Sequence, residues 1–262
     1  MNPIHLILPA VFAMIGMQLS AAIPDGTFPW YTLQAEDGTT NAKVIGPSRK
    51  AGTFASECVG RRGVKLNRTE DYVEFTVPAQ TNAIVIRYAI PDAPGGGGIE
   101  CTLSLYVDGK HRRDLSLTSR HAWLYGRESE PVNDPAALKF PGGTSFHFFD
   151  ETRALVGEIP AGAKIRLQKD SEDTALFYII DLIELEQVPP PLPQPAGSLS
   201  VHDFGAIGDG IQDDTEAFQR ALTQAETTGK TLYLPPGEFR TSRGFRVRSV
   251  MIQGAGMWYS TI

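Results

Sequence analysis

Cysteine is scarce: Cys58 and Cys101 are the only two in 262 residues, too few for a disulfide-dense scaffold or a tetrahedral cysteine metal centre. A basic excess is missing as well. Lys and Arg number 24 against 30 Asp and Glu, a formal net charge of -6, so no positive field draws the chain to DNA, RNA or anionic lipid. Beyond the first 22 residues there is no apolar run long enough to cross a bilayer as a helix. Low complexity is absent too, since 42% hydrophobic and 21% charged residues are ordinary for a globular chain and exclude a disordered or collagen-like one. These absences exclude nucleic acid and membrane as expected partners and favour a neutral ligand.

What is present divides into four stretches. Residues 1–22 read as a secretory signal, with an apolar run from Ile4 to Met17 and small residues before a cleavage point after Ala22, so the mature protein is expected outside the cell. Residues 23–188 show short period-two alternations separated by turn residues, as in an antiparallel sandwich. Val73, Phe75 and Val77 alternate with polar neighbours, as do Leu103, Leu105 and Val107, which run into the hairpin signal Asp108-Gly109. Further strands are expected at 84–90, 163–168 and 176–185, with no helix among them. The basic cluster Lys110-His111-Arg112-Arg113 is expected to be a solvated hairpin end. Residues 189–198 open on Pro189-Pro190-Pro191-Leu192-Pro193-Gln194-Pro195, a semi-rigid linker that cannot feed a sheet interior.

From residue 199 the pattern changes. A strand is expected over 200–204, then a Gly208-Asp209-Gly210 loop, then a helix with Asp213, Asp214 and Thr215 at its start. Phe218, Ala221, Leu222 and Ala225 recur at helical spacing, and Gly229 ends the run. Short strands follow at Leu232-Tyr233-Leu234, around 245–247 and at 250–252, broken by tight turns as in a solenoid.

The segment Val201-His202-Asp203-Phe204-Gly205-Ala206 through Gly208-Asp209-Gly210 and Asp213-Asp214-Thr215, with Leu232-Tyr233-Leu234-Pro235-Pro236-Gly237, resembles the start of the pectate-lyase-like β-helix superfamily, which includes rhamnogalacturonase-like and epimerase-like proteins. The opening Leu33-Gln34-Ala35-Glu36 and closing Ile180-Asp181-Leu182-Ile183-Glu184-Leu185 look like a carbohydrate-binding module of families six and thirty-five. Taken with Trp123-Leu124-Tyr125-Gly126, Phe148-Phe149-Asp150 and Gly256-Met257-Trp258-Tyr259, the whole is similar to mycodextranase and alpha-1,3-glucanase-like glycoside hydrolases. The implied fold is all-β: a galactose-binding-like β-sandwich over 23–188, then the beginning of a right-handed parallel β-helix with a short N-terminal capping α-helix over 199–262. The implied function is the N-terminal portion of a secreted enzyme that degrades an α-glucan or related wall polysaccharide. A non-catalytic binding or adhesin protein on a β-helix scaffold is the alternative. Because a solenoid needs about three or more repeats, the sequence is expected to be a fragment whose catalytic coils lie past Ile262.

Three groups of side chains are candidate sites. Gln34 and Glu36 sit two apart, so on a strand they share a face, and Asp181 has the parity of Ile179, Ile183 and Leu185, where a carboxylate requires a counter-charge or hydrogen bonds. The resemblance implies that Gln34, Glu36 and Asp181 hold a structural Ca2+, a hard cation suited to oxygen donors; a hydrogen-bonded trio without metal is the alternative. Trp123 and Tyr125, with His121 beside them, offer aromatic faces for sugar rings and polar groups for hydroxyls, or else Trp123 belongs to the core. His147, Phe148 and Phe149 are similar but more often core. Cys58 and Cys101 are a disulfide candidate in an exported chain, with two buried thiols as the alternative. Asp209, Asp213 and Asp214 are expected to serve turns and helix capping, not catalysis, and no catalytic residue is assigned.

Overall fold

A computed structural model describes residues 29–50, 52–94, 97–121, 123–124, 139–140, 143–144, 146–147 and 149–262. The expected leader 1–22 lies outside them, as does Tyr125. The expected class is observed, mostly strands with few helices. Two antiparallel sheets carry the first part. The larger orders Phe149–Ile159, Thr81–Ala89, Tyr178–Glu186, Gly63–Leu66 and Lys43–Ile45, with Trp30–Gln34 also pairing with Tyr178–Glu186. The smaller orders Thr39–Thr40, Tyr72–Thr76, Lys164–Gln168, Glu100–Val107 and Lys110–Thr118.

Alternation explains how they meet. Ile84, Ile86, Ile183 and Leu185 of the larger sheet and Val73, Phe75, Leu103, Leu105, Ile165 and Leu167 of the smaller one enter a single core cluster, each set spaced by two as a pleated strand requires. The sheets therefore face each other across that core. Residues 178–183 are buried on both sides, because a second cluster of Cys58, Ala89 and Ile179, flanked by Phe54, Phe149 and Phe177, covers part of the outer face of the larger sheet. The Asp108-Gly109 turn forms as expected, with φ of 48° and 72°, the left-handed pair that a two-residue hairpin demands.

Sequence reasoning missed two long strands, Lys110–Thr118 and Phe149–Ile159, and one helical turn. Phe149–Ile159 spans 11 residues, but Asp150, Glu151 and Arg153 and an irregularity between Leu155 and Ile159 obscure its alternation. Phe54–Glu57 forms a short helix in a stretch read as helix-free.

The candidate disulfide does not form, and the alternative of two thiols holds: Cys58 and Cys101 are both free. Cys58 packs with Ala89 and Ile179 on the outer side of the larger sheet, whereas Cys101 packs against the core between the sheets, so a layer of strands separates them.

The second part is built on parallel pairing. Leu199–Ser200, Leu232–Leu234 and Ile252–Gly254 stack with Leu199, Leu232 and Ile252 in register. Asp209–Asp213, Gly237–Arg240 and Ser260–Thr261 form a second parallel set. The helix Thr215–Thr228 buries Phe218, Ala221, Leu222 and Ala225 as its spacing predicts and stops at Gly229, φ 65°.

Three expectations fail here. Asp209 to Asp213, expected to be a loop leading into the helix, form a strand. Val201–Phe204 is a 3-10 turn instead of a strand, because Ser200 and Asp203 form a reciprocal capping box and His202 bonds the Ala206 carbonyl through Nδ1. Phe245 is likewise not on a strand; its ring stacks on Phe218, with centroids 5.7 Å apart.

The proline-rich segment does not hang free. Its prolines have no N–H, leaving carbonyls that accept from neighbours: Tyr259 Oη donates to Pro189 O at 2.8 Å and Tyr233 Oη to Leu192 O at 2.6 Å. Leu192 N–H donates to Ala255 O at 2.8 Å, and just upstream Val188 N–H donates to Asn82 Oδ1 at 2.7 Å. The segment is tied to both of the parts it connects.

Candidate functional site

Strand register assembles a polar row on the outer face of the larger sheet. Arg153 and Glu184 both pair with Val85, and Thr32 pairs with Glu184. These positions alternate with Ile84, Ile86, Ile183 and Leu185, whose side chains fill the core, so they project the opposite way. One step along, Glu186 pairs with Trp30. The turn that leads to Ser260–Thr261 folds back onto this row. Trp258 Nε1–H donates to Glu186 Oε2 at 3.2 Å, the Arg153 guanidinium stands 5.7 Å from the Trp258 ring centre, and Arg153 donates to Thr261 Oγ1 at 3.4 Å.

Between them lies a cleft of about 450 Å3, walled by Trp30, Trp258 and Met257 and floored by Val85, Thr152, Arg153, Glu151, Glu184 and Glu186. Such a volume suits a small ligand. Thr32 Oγ1 donates to Glu184 Oε1 at 3.2 Å, so Glu184 holds a donor from the neighbouring strand and Glu186 one from the turn. Sequence reasoning did not find this cleft. Its residues come from four separate strands and a distant turn, and only their register brings them together.

The second cluster surrounds Asp181, at an irregularity of the Tyr178–Glu186 strand between Ile180 and Leu182. Its wholly buried carboxylate accepts from Arg87 Nη1 and from Val59 N–H at 3.0 and 3.2 Å. Burial raises the Asp181 pKa, Arg87 and the Val59 N–H pull it down, and nearby Glu36 pushes it up. The counter-charge predicted for Asp181 is therefore Arg87. Gln34 ends its strand and Glu36 lies on the 3-10 turn Ala35–Asp37, which replaces the shared strand face assumed for them. Even so, Gln34 Oε1 and Glu36 Oε2 are both buried without a hydrogen-bond partner, a costly state that a bound cation would relieve. Among the described residues no group of three or more His, Cys, Asp or Glu side chains is placed to hold a metal ion, and the Asp181 oxygens are already occupied by Arg87 and Val59, so the two unpartnered oxygens of Gln34 and Glu36 are the one observation here that bears on a cation. Burial, with Asp181 next in effect, pushes the neighbouring Cys58 thiol up to about 12, so it is a thiol and a poor nucleophile at neutral pH.

Of the aromatic group, His121 is exposed. Trp123 lies on the strand Trp123–Leu124, paired with His147, and Tyr125 lies outside the described residues. Asp209, Asp213 and Asp214 of the parallel part serve the backbone. Asp209 accepts from Ile211 and Gln212 N–H at 2.9 and 2.8 Å. Asp213 accepts from Thr215 N–H at 3.0 Å and from its hydroxyl. Asp214 occupies the helix N-cap but closes the loop instead, accepting from Ile207 and Gly208 N–H at 2.7 and 3.0 Å. Gly208 has φ 72°, and a Cβ there would come within 2.7 Å of the Phe239 ring, so this turn requires glycine.

A family profile described as "Alpha-1,3-glucanase catalytic domain D1" matches residues 27–188, and one described as "Rhamnogalacturonase A/epimerase, pectate lyase-like" matches residues 198–262. The catalytic unit of a thermostable GH87 alpha-1,3-glucanase from Streptomyces thermodiastaticus is similar with a TM-score of 0.74 and 35% identity, over 88% of this chain and 39% of that one. A catalytic domain of GH87 alpha-1,3-glucanase in complex with nigerose is similar with a TM-score of 0.67 and 28% identity, over 89% of this chain and 40% of that one. A mannuronan C5-epimerase of Azotobacter vinelandii is 46% identical over 72 residues, 24% of this chain and 5% of the epimerase. The chain thus spans about two fifths of these solved relatives. The likeness to polysaccharide-acting enzymes holds, with one correction: the stretch expected to be a carbohydrate-binding module matches a domain of a glucanase catalytic unit instead.

Proposed function

Because the chain belongs to the family of the alpha-1,3-glucanase catalytic domain D1, we propose that it is the N-terminal portion of a secreted glycoside hydrolase that degrades an α-1,3-linked glucan. The family match over residues 27–188 carries this reading, supported by the 35% identity to a solved alpha-1,3-glucanase catalytic unit. Within it the facing sheets are a galactose-binding-like sandwich and the parallel strands open a right-handed β-helix. His121, Trp123 and Tyr125 contact sugar, and the apolar leader directs export.

Gln34 and Glu36 would hold a structural Ca2+, with Asp181 beside them paired to Arg87. The ion would supply positive charge to two buried oxygens and tie the first strand to the 59–61 turn. Asp209, Asp213 and Asp214 are engaged by backbone donors, and no catalytic acid is assigned among them.

Co-sedimentation of the folded chain with insoluble polysaccharides tests the substrate class. Retention on α-1,3-glucan in preference to pectin and alginate is expected. Equal or stronger retention on either acidic polymer would overturn the reading.

A further inference from the structure

We propose that the cleft between the outer face of the larger sheet and the 256–261 turn is a binding site for a neutral hexose chain, with Trp30 as stacking platform and Glu184, Glu186 and Arg153 as hydroxyl partners. The proposal rests on the glucan-directed reading above and adds a site and a charge selectivity to it.

Three observations identify the ligand class. Glu186 is paired by strand register with Trp30 and by hydrogen bond with Trp258, so two indoles flank one carboxylate. Flat aromatic faces beside carboxylate acceptors match a pyranose, whose C–H face is apolar and whose rim is hydroxyl. Second, the lining holds three carboxylates, Glu151, Glu184 and Glu186, against the single guanidinium of Arg153. That balance repels a uronate or phosphate at short range, and a wholly apolar ligand would desolvate the carboxylates without pairing them. Third, Glu184 and Glu186 already hold one donor each, from Thr32 and Trp258, and the guanidinium of Arg153 stands beside the Trp258 ring. The polar groups are therefore positioned before any ligand arrives, which lowers the ordering cost of binding. A neutral polyol both donates to the carboxylates and accepts from Arg153, and so satisfies every one of these groups.

The two walls belong to opposite ends of the described chain, so the site exists only while the parallel part is docked on the sheet. Bound glycan should hold the two together.

The test uses the intact chain, titrated with α-1,3-gluco-oligosaccharides and separately with mannuronate oligosaccharides, followed by tryptophan fluorescence and calorimetry. The glucan series should bind saturably and the mannuronate series at least about tenfold more weakly. Trp30→Ala should weaken glucan binding about tenfold or more, while Trp30→Tyr, which keeps an aromatic face, retains most of it. Glu184→Gln should weaken glucan binding and strengthen mannuronate binding, a reversal that loss of folding would not produce. Wild-type glucan binding left unchanged by Trp30→Ala and Glu184→Gln overturns the cleft assignment and leaves the glucan reading standing. Equal affinity for mannuronate overturns the charge selectivity. A wild-type chain that neither binds the oligosaccharides nor is retained on insoluble α-1,3-glucan overturns both.

Discussion

Trp258 and Glu186, 72 positions apart in the sequence, are joined by an indole N–H to carboxylate hydrogen bond of 3.2 Å. This bond fastens the turn at the end of the parallel part to the outer face of the larger sheet, alongside the Tyr259 to Pro189 and Leu192 to Ala255 bonds. Trp258→Phe keeps an aromatic ring and removes the donor. A loss of about 1.5–3 kcal/mol is expected for a hydrogen bond to a charged group, nearer the lower figure because Glu186 is only partly buried. The local readout is hydrogen exchange: the Leu192 amide should exchange faster in the variant, and an unchanged rate would mean the junction does not depend on this bond.

Arg87 and Asp181 provide the second test. Arg87→Met leaves a buried carboxylate without its counter-charge, held by the Val59 N–H and the Cys58 thiol alone, and breaking such a pair costs about 3–5 kcal/mol, measurable by urea denaturation. Arg87→Met combined with Asp181→Leu should recover much of the loss, since neither charge then remains. The pH dependence has a definite sign. The Asp181 pKa is raised in the folded protein by burial, against the pull of Arg87, so its contribution favours folding below the ordinary carboxylate range and is lost as pH rises through the folded value. Without Arg87 that decline should steepen.

Calcium should stabilise the first part through Gln34 and Glu36. Binding to the native state alone adds about 2.7 kcal/mol at a hundredfold excess over Kd, so a chelator should lower Tm. Gln34→Leu and Glu36→Leu should each remove the chelator sensitivity, whereas Asp181→Asn should leave more of it. Superimposable melting curves with and without chelator would rule the ion out.

Acid stability should follow the opposite sign at Asp71 and Asp213. Burial acts to raise the Asp71 pKa, but the Arg68 and Asn67 N–H groups and the Arg68 charge outweigh it and hold the value low. The Thr215 hydroxyl first, then Ser242 and the Thr215 N–H, bring Asp213 to about 2. Both contributions are complete above the ordinary value of 3.8 and disappear as pH falls through the folded pKa values. Tm should therefore drop between about pH 4 and 2, and Asp213→Asn should flatten that drop. A variant as acid-sensitive as the parent would show that Asp213 is not part of it.

Trp123 remains the expected sugar contact on the smaller paired strands. Trp123→Ala should weaken retention on insoluble α-1,3-glucan, leaving the share held by the Trp30 cleft, with little change in Tm. If instead stability falls by about 3–5 kcal/mol, the cost of emptying a core site, Trp123 is a packing residue.

Much of the fold was legible because its signals are local. Val73 and Phe75, or Leu103 and Leu105, announce their buried face by alternation alone, and Phe218, Ala221, Leu222 and Ala225 announce theirs by helical spacing. Phe149–Ile159 was not legible, since its polar outer face carries the charges that wall the cleft. Glu36 misled for a related reason: a spacing of two implies a shared face only where the chain is extended, and at Glu36 it has already turned.

The sequence by itself determined the mostly-β character, the helix over Thr215–Thr228 and the need of Asp181 for a counter-charge, since each follows from residue type and nearest neighbours along the chain. Tertiary structure alone decided that the counter-charge is Arg87, that Cys58 and Cys101 lie on opposite sides of a sheet, and that Trp30, Glu186 and Trp258 converge on one cleft. Such contacts depend on strand register and on how one part docks on the other. Register is set by the summed packing of whole faces, a property that no short stretch of sequence carries.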